Sequence, residues 1–223
     1  TNEPVMGVVT RLAARKARKK GTKVVYMVHG FHFYKGAPKL SWMVYYPVER
    51  FVSRFCDEIV TINQEDYARA KKFHAGKIKY IHGIGMDPSR MHYTDSPGNI
   101  RKEIGAGDRS FLLLSVGELL PRKNQQAIIR ALGRLKDRDI HYILCGKGEL
   151  KDKLENLAKE NGIDEQVHFL GYRKDVLDIY GQTDLLALPS RREGLGLAGL
   201  EAMYCGLPLI TSDINGIRDY MED

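Results

Sequence analysis

A glycine-rich turn between a predicted strand and a predicted helix constrains the fold of this chain more than any other stretch. Residues 184–188 read Asp-Leu-Leu-Ala-Leu, an apolar run of strand length that is typical of a buried parallel sheet. Helical spacing begins at Leu197, and Gly194 and Gly196 before it let the backbone turn sharply and approach a ligand closely. The N–H groups at the start of such a helix attract anions, so the turn suits a diphosphate.

Two glutamates flank this turn. Glu193 lies in the loop and Glu201 about two turns into the helix, and both carboxylates can accept hydrogen bonds from sugar hydroxyls. By itself, a glycine-rich turn with two glutamates at this spacing is better explained as a structural turn whose glutamates are solvated. The residues around them, Arg-Glu-Gly-Leu-Gly-Leu and then Leu-Glu-Ala-Met-Tyr-Cys-Gly-Leu-Pro-Leu-Ile, closely resemble the nucleotide-sugar signature of retaining glycosyltransferases of family 4, which have the GT-B fold.

The resemblance implies a role for each part of the turn. Glu193 would hold the sugar of a nucleoside-diphosphate sugar donor, and Glu201 would hold its ribose. The diphosphate would lie on the backbone of the helix start, at Gly194, Leu195, Gly196 and Leu197. Negative charge grows on the diphosphate as the sugar leaves, and N–H groups and cations can stabilise that charge, so we expect no metal and no cofactor.

A second strand-end loop is expected to supply the cations. Gly117 follows the hydrophobic run at residues 111–116, and two adjacent cations precede the next helix. This is a phosphate-binding arrangement, although cations before a helix are often only surface charge. In the family an arginine follows the glycine and a lysine stands five residues later, both on the diphosphate. Lys123 matches that lysine, Glu118 occupies the arginine position, and Arg122 is the substitute candidate.

Three further candidates follow predicted strands. Ligands of open α/β sheets bind beyond the carboxyl ends of the strands, where Gly146, Arg173 and His29 are all expected. The Gly-x-Gly at residues 146–148 is weak evidence by itself. The resemblance places Arg173 near the base and brings His29 toward the donor sugar; from position alone, His29 fits a core histidine equally well. With Lys123 and Glu193, His29 completes the predicted catalytic set.

The element order predicts an α/β fold with two domains. Strands and helices alternate up to a run of Ser, Asp, Pro, Gly and Asn at residues 89–99, which resembles an interdomain hinge. We therefore predict an acceptor-side domain over residues 1–95 and a nucleotide-sugar-binding domain over residues 96–223. Both would be Rossmann-like parallel-sheet domains of GT-B type. Both are expected to be incomplete, as in an internal fragment, so the fragment alone need not be active.

Charge and composition limit the partners. The net charge of +7 favours anionic partners, and no run approaches the roughly 20 apolar residues of a membrane-spanning helix. Residues 5–13 carry an apolar helical face, with Arg11, Arg15 and Lys16 among the basic residues on the rest. Such a charge run is more often a solvated face than a contact with anionic lipid. Three widely spaced cysteines indicate reduced thiols, as in a cytoplasmic protein, and no metal site.

Together these features predict a bacterial enzyme. It would transfer a hexose from a nucleoside-diphosphate sugar, with UDP as the expected nucleotide, to a glycan or lipid-linked acceptor, with retention of configuration, during capsule or exopolysaccharide synthesis. It would work in the cytoplasm, with peripheral contact at the inner face of the membrane. The alternatives are a non-catalytic nucleotide-sugar-binding subunit, a degenerate homologue and a GT-B-shaped epimerase. Nucleic-acid binding, suggested by charge alone, lacks any recognition motif.

Overall fold

Strand pairing in the computed structural model divides the chain into two parallel sheets. The structure describes residues 4–83, 85–91, 93–95, 97–135 and 139–221. Contacts group the chain into two compact units: the first comprises Thr1–Gly85, Glu193–Leu195 and Asp213–Asp223, and the second comprises Met86–Arg192 and Gly196–Ser212. The predicted division at residues 95 and 96 stays a prediction, and nothing in the sequence pointed to the two short segments that join the first unit.

The first unit has a three-stranded parallel sheet in the order β1-β2-β3. Its elements are α1 (Pro4–Ala13), α2 (Arg15–Lys19), β1 (Val25–Val28), α3 (Lys39–Val52), β2 (Glu58–Thr61), α4 (Gln64–Ala70) and β3 (Lys77–Tyr80). Asn63 caps α4, because its side chain accepts a hydrogen bond from the Asp66 N–H at 2.8 Å, as expected for an Asn N-cap. Tyr26, Phe31 and Phe33 lie in the core beneath the sheet.

The second unit has a five-stranded parallel sheet in the order β6-β5-β4-β7-β8. Its elements are α5 (Ile100–Ile104), β4 (Phe111–Val116), α6 (Gln126–Leu135), β5 (Ile140–Cys145), α7 (Lys151–Glu160), β6 (Val167–Gly171), α8 (Val176–Tyr180), β7 (Leu185–Leu188), α9 (Leu197–Tyr204) and β8 (Leu209–Thr211). Strands β5 and β6 lie on one side of β4, and the chain then crosses to β7 and β8 on the other side of β4. In open parallel sheets, ligands bind beyond the carboxyl ends of the strands at the point where the strand order reverses in this way.

One expected surface cation is buried. Arg11 was predicted to lie on the basic face of the first helix, but its side chain is fully buried and its Nη2 atom lies 2.8 Å from Glu49 Oε2. The guanidinium also stacks over the ring of Tyr26, 4.0 Å from its centroid. The prediction was wrong because the partner carboxylate comes from α3, which the periodicity of α1 alone cannot reveal.

No described helix is long and apolar enough to cross a membrane.

Two histidines face each other across neighbouring strands of the second unit. The Nδ1 atom of His141 on β5 and the Nε2 atom of His168 on β6 are 2.9 Å apart, so one nitrogen donates and the other accepts. Burial lowers the pKa of His141. Burial, with the charge of His141 adding to it, lowers the pKa of His168 to about 4. The folded protein therefore favours the neutral form of the pair.

Acidification is expected to destabilise the protein through this pair. Between pH about 6.5 and about 4 the unfolded chain binds a proton that the folded His168 does not, so the free energy of unfolding falls as the pH drops, by at most about 1.4 kcal/mol per pH unit for one proton. The measurement is urea unfolding across this range. His168→Gln should flatten the slope, whereas His74→Gln, at an exposed histidine, should not; equal slopes in all three proteins would contradict the assignment.

Candidate functional site

A cavity of about 680 Å³ lies at the carboxyl ends of β4, β5 and β6 in the second unit. It is lined by residues of the three loops that follow these strands, by α8 and α9, and by Met91. Four of the predicted donor-binding residues line it, namely Gly117, Gly146, Arg173 and Glu201. The topology brings these residues to one edge of the sheet although the first and last, Gly117 and Glu201, are 84 positions apart in the sequence.

The floor of this cavity depends on close contact between two backbone loops. A Cβ atom on Gly146 would lie 1.9 Å from the carbonyl oxygen of Gly117, and one on Gly148 would lie 2.4 Å from that of Leu119. Backbone hydrogen bonds join the same loops, with the Gly117 N–H bound to the Cys145 oxygen at 2.9 Å. Gly117 itself has a φ of +142°, which favours glycine. Side chains at these positions would push the loops apart.

The two predicted cations of the loop after β4 have different surroundings. The Nζ atom of Lys123 lies 3.4 Å from where a Cβ on Gly117 would be, so the ammonium group lies beside the glycine that lines the cavity. The guanidinium of Arg122 pairs with Glu118, 2.6 Å away, and both side chains are exposed. The acid at the family's arginine position thus neutralises the substitute candidate. A diphosphate contact for either cation stays a prediction.

Arg173 is held by two acids at the cavity wall. It forms a bidentate pair with Asp175, at 2.8 and 2.7 Å, and a third hydrogen bond to Glu103 at 2.6 Å. These hydrogen bonds raise the pKa of Arg173 and lower the pKa of Asp175. Because its donors already bind protein carboxylates, Arg173 fixes the loop after β6. Contact between this loop and the base stays a prediction.

Glu201 is presented to the cavity by α9. The helix begins at Leu197 after Gly196, whose φ of +78° lies in the left-handed region. The hydroxyl of Tyr180 donates a hydrogen bond to Glu201 Oε2 at 3.2 Å and orients the carboxylate. Burial raises the pKa of Glu201, and the Tyr180 hydrogen bond partly opposes that rise. A half-buried, oriented carboxylate is suited to accept hydrogen bonds from vicinal hydroxyls such as those of a ribose.

The remaining predicted residues, His29 and Glu193–Leu195, belong to the first unit. His29 is exposed at the end of β1, and a Cβ on Gly194 would lie 1.9 Å from its carbonyl oxygen. Glu193 is buried, and its N–H donates to Asn215 Oδ1 at 3.4 Å. The structure therefore brings the backbones of His29 and of the Glu193 loop together. Their catalytic roles remain predictions.

The cavity-lining residues that the sequence analysis missed include three polar ones, Lys147, Tyr172 and Lys174. Tyr172 is 70% exposed, which leaves its ring available for stacking. Lys147 directly follows the predicted Gly146, and Tyr172 and Lys174 flank the predicted Arg173, so their position in strand-end loops was the available signal. Within the described residues, no three histidine, cysteine or acidic side chains cluster as a metal site, and the expectation that no metal is needed stays a prediction.

The family model of the glycosyl transferases group 1 matches residues 98–223, which is more than half of the chain and includes the loops that line the cavity after β4, β5 and β6. The chain belongs to the group 1 glycosyl transferases. This match leaves the finer assignment, to family 4 and to a retaining mechanism, as a proposal.

Two relatives of this glycosyltransferase chain are similar to it over nearly its whole length. It is 38% identical, over 99% of its length, to EpsD of Bacillus subtilis (strain 168), a protein named as a glycosyltransferase. It is 30% identical, over 97% of its length, to the Escherichia coli UDP-Gal:alpha-D-GlcNAc-diphosphoundecaprenol alpha-1,3-galactosyltransferase. The chain spans 59% and 57% of the lengths of these two relatives.

Solved structures confirm the predicted α/β fold of GT-B type. Anabaena Alr3699/HepE in complex with UDP and glucose aligns over 99% of this chain and 60% of its own, with a TM-score of 0.82 and 23% identity. WaaG, a glycosyltransferase involved in lipopolysaccharide biosynthesis, aligns over 93% of this chain and 64% of its own, with a TM-score of 0.69 and 21% identity. At these identities the likeness concerns the fold.

Adding one methyl group at Gly146 should damage the cavity floor. Gly146→Ala places a Cβ against the Gly117 carbonyl, and overpacking of this kind typically costs about 1–3 kcal/mol. Calorimetric melting is the measurement, and the melting temperature should fall. Gly98→Ala is the control, since a Cβ there meets nothing within 4 Å. If both variants melt together with the parent, the glycine contact does not support the loops.

Proposed function

We propose that this group 1 glycosyltransferase moves a hexose from a UDP-linked donor to a hydroxyl of a glycan or lipid-linked acceptor in cell-surface polysaccharide synthesis. The observation that carries the proposal is the cavity at the carboxyl ends of β4–β6, which Gly117, Gly146 and Glu201 line, with Lys123 beside Gly117. The names of the relatives support it, since one is a UDP-galactose-dependent transferase acting on a diphosphoundecaprenol-linked sugar.

In this proposal each residue acts on a different part of the donor. Negative charge grows on the diphosphate as the sugar departs, and the Lys123 ammonium together with the N–H groups at the start of α9 stabilises that charge. Glu201, oriented by Tyr180, holds the ribose. Glu193 holds the donor sugar and His29 contacts it. No metal takes part.

We also propose, from the resemblance to family 4, that the anomeric configuration is retained. Front-face attack explains retention without a carboxylate nucleophile, because the acceptor hydroxyl approaches from the side that the diphosphate leaves. Double displacement would instead need a carboxylate nucleophile on the face of the sugar opposite the diphosphate. Glu193 and Glu201 are assigned here to the sugar and the ribose, and neither is assigned to a nucleophilic role.

One observation favours a second candidate, a subunit that binds the nucleotide sugar without turning it over. Glu118 occupies the family's arginine position and pairs with Arg122, so one expected cation is missing and its substitute is offset within the protein. Calorimetry with UDP beside a transfer assay separates the candidates. Binding with transfer supports the enzyme, and binding without transfer for any sugar nucleotide supports the subunit.

Peripheral contact with anionic lipid at the cytoplasmic face of the membrane is a further part of the proposal. Large apolar side chains are exposed on α1 and α3, including Val5 at 69% and Met43 at 74%. Lys16, Lys19 and Lys20 are exposed on and just after α2. Exposed apolar side chains and exposed lysines on neighbouring segments of the chain match an anionic interface in both hydrophobicity and charge. The burial of Arg11 removes one cation from this surface but leaves the lysines.

The Glu193 assignment predicts a selective loss of transfer. Glu193→Gln should lower turnover by about 100-fold or more, because one interaction that strengthens in the transition state is removed, while UDP affinity stays unchanged. The measurements are UDP release from a panel of UDP-sugars in the presence of acceptor, and calorimetry with UDP. Glu160→Gln, at an exposed glutamate of α7, is the control. Normal turnover in Glu193→Gln would contradict the assignment of Glu193 to the donor sugar.

The membrane proposal predicts a lipid-selective interaction. The protein should co-sediment with vesicles that contain anionic phosphatidylserine or phosphatidylglycerol and not with neutral phosphatidylcholine vesicles. Replacing Lys16, Lys19 and Lys20 by Gln should weaken binding, since each lysine near an anionic surface contributes about 1 kcal/mol. Replacing the exposed Lys151, Lys153 and Lys159 of α7 by Gln controls for net charge. Equal losses in both triple variants would contradict a contact through α1–α3.

A further inference from the structure

The first unit contains a hollow of its own, of about 660 Å³, which we call the Trp42 hollow. It is lined by Lys35, Trp42, Gln64, Glu65, Arg69, Asn215, Arg218 and Asp219. None of these residues lines the cavity of the second unit, and none was a candidate in the sequence analysis. The hollow collects residues from the loop after β1, from α3 and α4, and from the segment near residue 215.

Two buried donors at this hollow have no hydrogen-bond partner among the described residues. The first is the Nδ2 amide of Asn215, a residue that is only 4% exposed. The second is Nη1 of Arg69, which lies 3.8 Å from Asp66 Oδ1, beyond hydrogen-bond distance. Leaving a buried donor unsatisfied costs about 1–3 kcal/mol. A ligand that offers acceptor oxygens would satisfy both donors.

The Trp42 hollow carries charges of both signs, with Lys35, Arg69 and Arg218 beside Glu65 and Asp219. Glu65 pairs with Arg69 and also accepts the Lys35 N–H, while Asp219 accepts hydrogen bonds from the Gln64 N–H and from the Tyr80 hydroxyl. The carboxylate oxygens in this lining can accept hydrogen bonds from hydroxyl groups. The ligand should therefore both donate and accept hydrogen bonds.

Trp42 adds an apolar surface to this polar set. Its indole is 36% exposed and is held by Phe33 and Tyr46, with ring centroids 5.6 and 5.9 Å away. The Arg69 guanidinium lies 5.4 Å from the indole centroid. A partly exposed aromatic ring beside amide, guanidinium and carboxylate groups matches a sugar ring, which has C–H faces and a rim of hydroxyl groups.

The hollow is next to the loop that carries Glu193. The Oδ1 atom of Asn215 accepts the Glu193 N–H at 3.4 Å, and a Cβ on Gly216 would lie 2.0 Å from the Gly194 oxygen. Asn215 thus holds the Glu193 loop through Oδ1, while its Nδ2 has no hydrogen-bond partner in the part of the chain that the structure describes. A sugar bound to Nδ2 would therefore lie close to Glu193, the residue proposed to hold the donor sugar.

We infer that the Trp42 hollow binds a sugar ring of the acceptor, with Asn215 and Arg69 donating to its oxygens and Trp42 packing against its C–H groups. This inference rests on the proposed function, because it assigns the second substrate of the same reaction. It places saccharide recognition in the first unit and makes Asn215 a substrate-binding residue that also positions the Glu193 loop.

Trp42 provides the readout, because it is the single tryptophan of the chain. Indole fluorescence is titrated with methyl glycosides of glucose, galactose and N-acetylglucosamine, with short oligosaccharides of these sugars, and with inorganic phosphate. A saturable change with at least one saccharide, and none with phosphate, is expected. UDP binding is measured in parallel by calorimetry and reports on the proposed donor site alone.

Asn215→Asp is the decisive variant. It keeps the oxygen that accepts the Glu193 N–H and replaces the unpartnered donor by an acceptor, so saccharide affinity should fall about tenfold, equivalent to about 1.4 kcal/mol, with UDP affinity unchanged. Lys35→Ala removes a lining cation and should also weaken the saccharide. Lys72→Ala removes an exposed cation that does not line the hollow and should not. If Asn215→Asp fails to fold by circular dichroism, the two lysine variants decide.

The outcomes separate the inference from the function on which it rests. Saccharide binding that Asn215→Asp and Lys35→Ala weaken supports the inference. No saturable change with any saccharide, equal affinities in all variants, or saturation by phosphate alone would overturn it. Saccharide binding without UDP binding would contradict the proposed transferase while leaving the hollow as a saccharide site.

Discussion

Close approach of backbone to backbone at strand ends is the constraint on which the described sites depend. In the second unit Gly146 and Gly148 leave no room for a Cβ against the loop after β4, and in the first unit Gly194 and Gly216 do the same near His29. Each contact requires glycine for steric reasons, whatever its dihedral angles. Loops held this closely expose backbone N–H groups to a ligand. The side chains between the glycines then determine which ligand is bound.

Ion pairing within the protein decides which charges remain for a ligand. Arg173 is bound by Asp175 and Glu103, and Arg122 by Glu118, so these guanidinium groups act first on the loops that carry them. Glu201 is different, because its described hydrogen bond comes from a neutral hydroxyl, that of Tyr180. Partial burial with one neutral donor leaves a carboxylate able to accept further hydrogen bonds, as a polyhydroxylated ligand requires.

Local sequence predicted the elements better than the partners of side chains. The apolar run at residues 184–188, the Asn63 cap and the start of α9 were predictable because hydrophobic spacing, an N-cap and glycine each act over a few residues. The partner of Arg11 was not predictable, because Glu49 lies on another helix. The Trp42 hollow was missed for the same reason: Trp42 reads as core periodicity and Asn215 as loop. Long-range packing alone makes them neighbours.

The discontinuous make-up of the first unit has a consequence for recombination of these proteins. Asn63 caps α4 and also donates to the Gly194 oxygen at 3.2 Å, across 131 positions of the chain. A chimera joined at one linear boundary, with residues before it from one parent and residues after it from another, would draw Asn63 and its acceptor loop from different parents. In this chain, residues 193–195 and 213–221 therefore belong with the amino-terminal sheet when segments are exchanged.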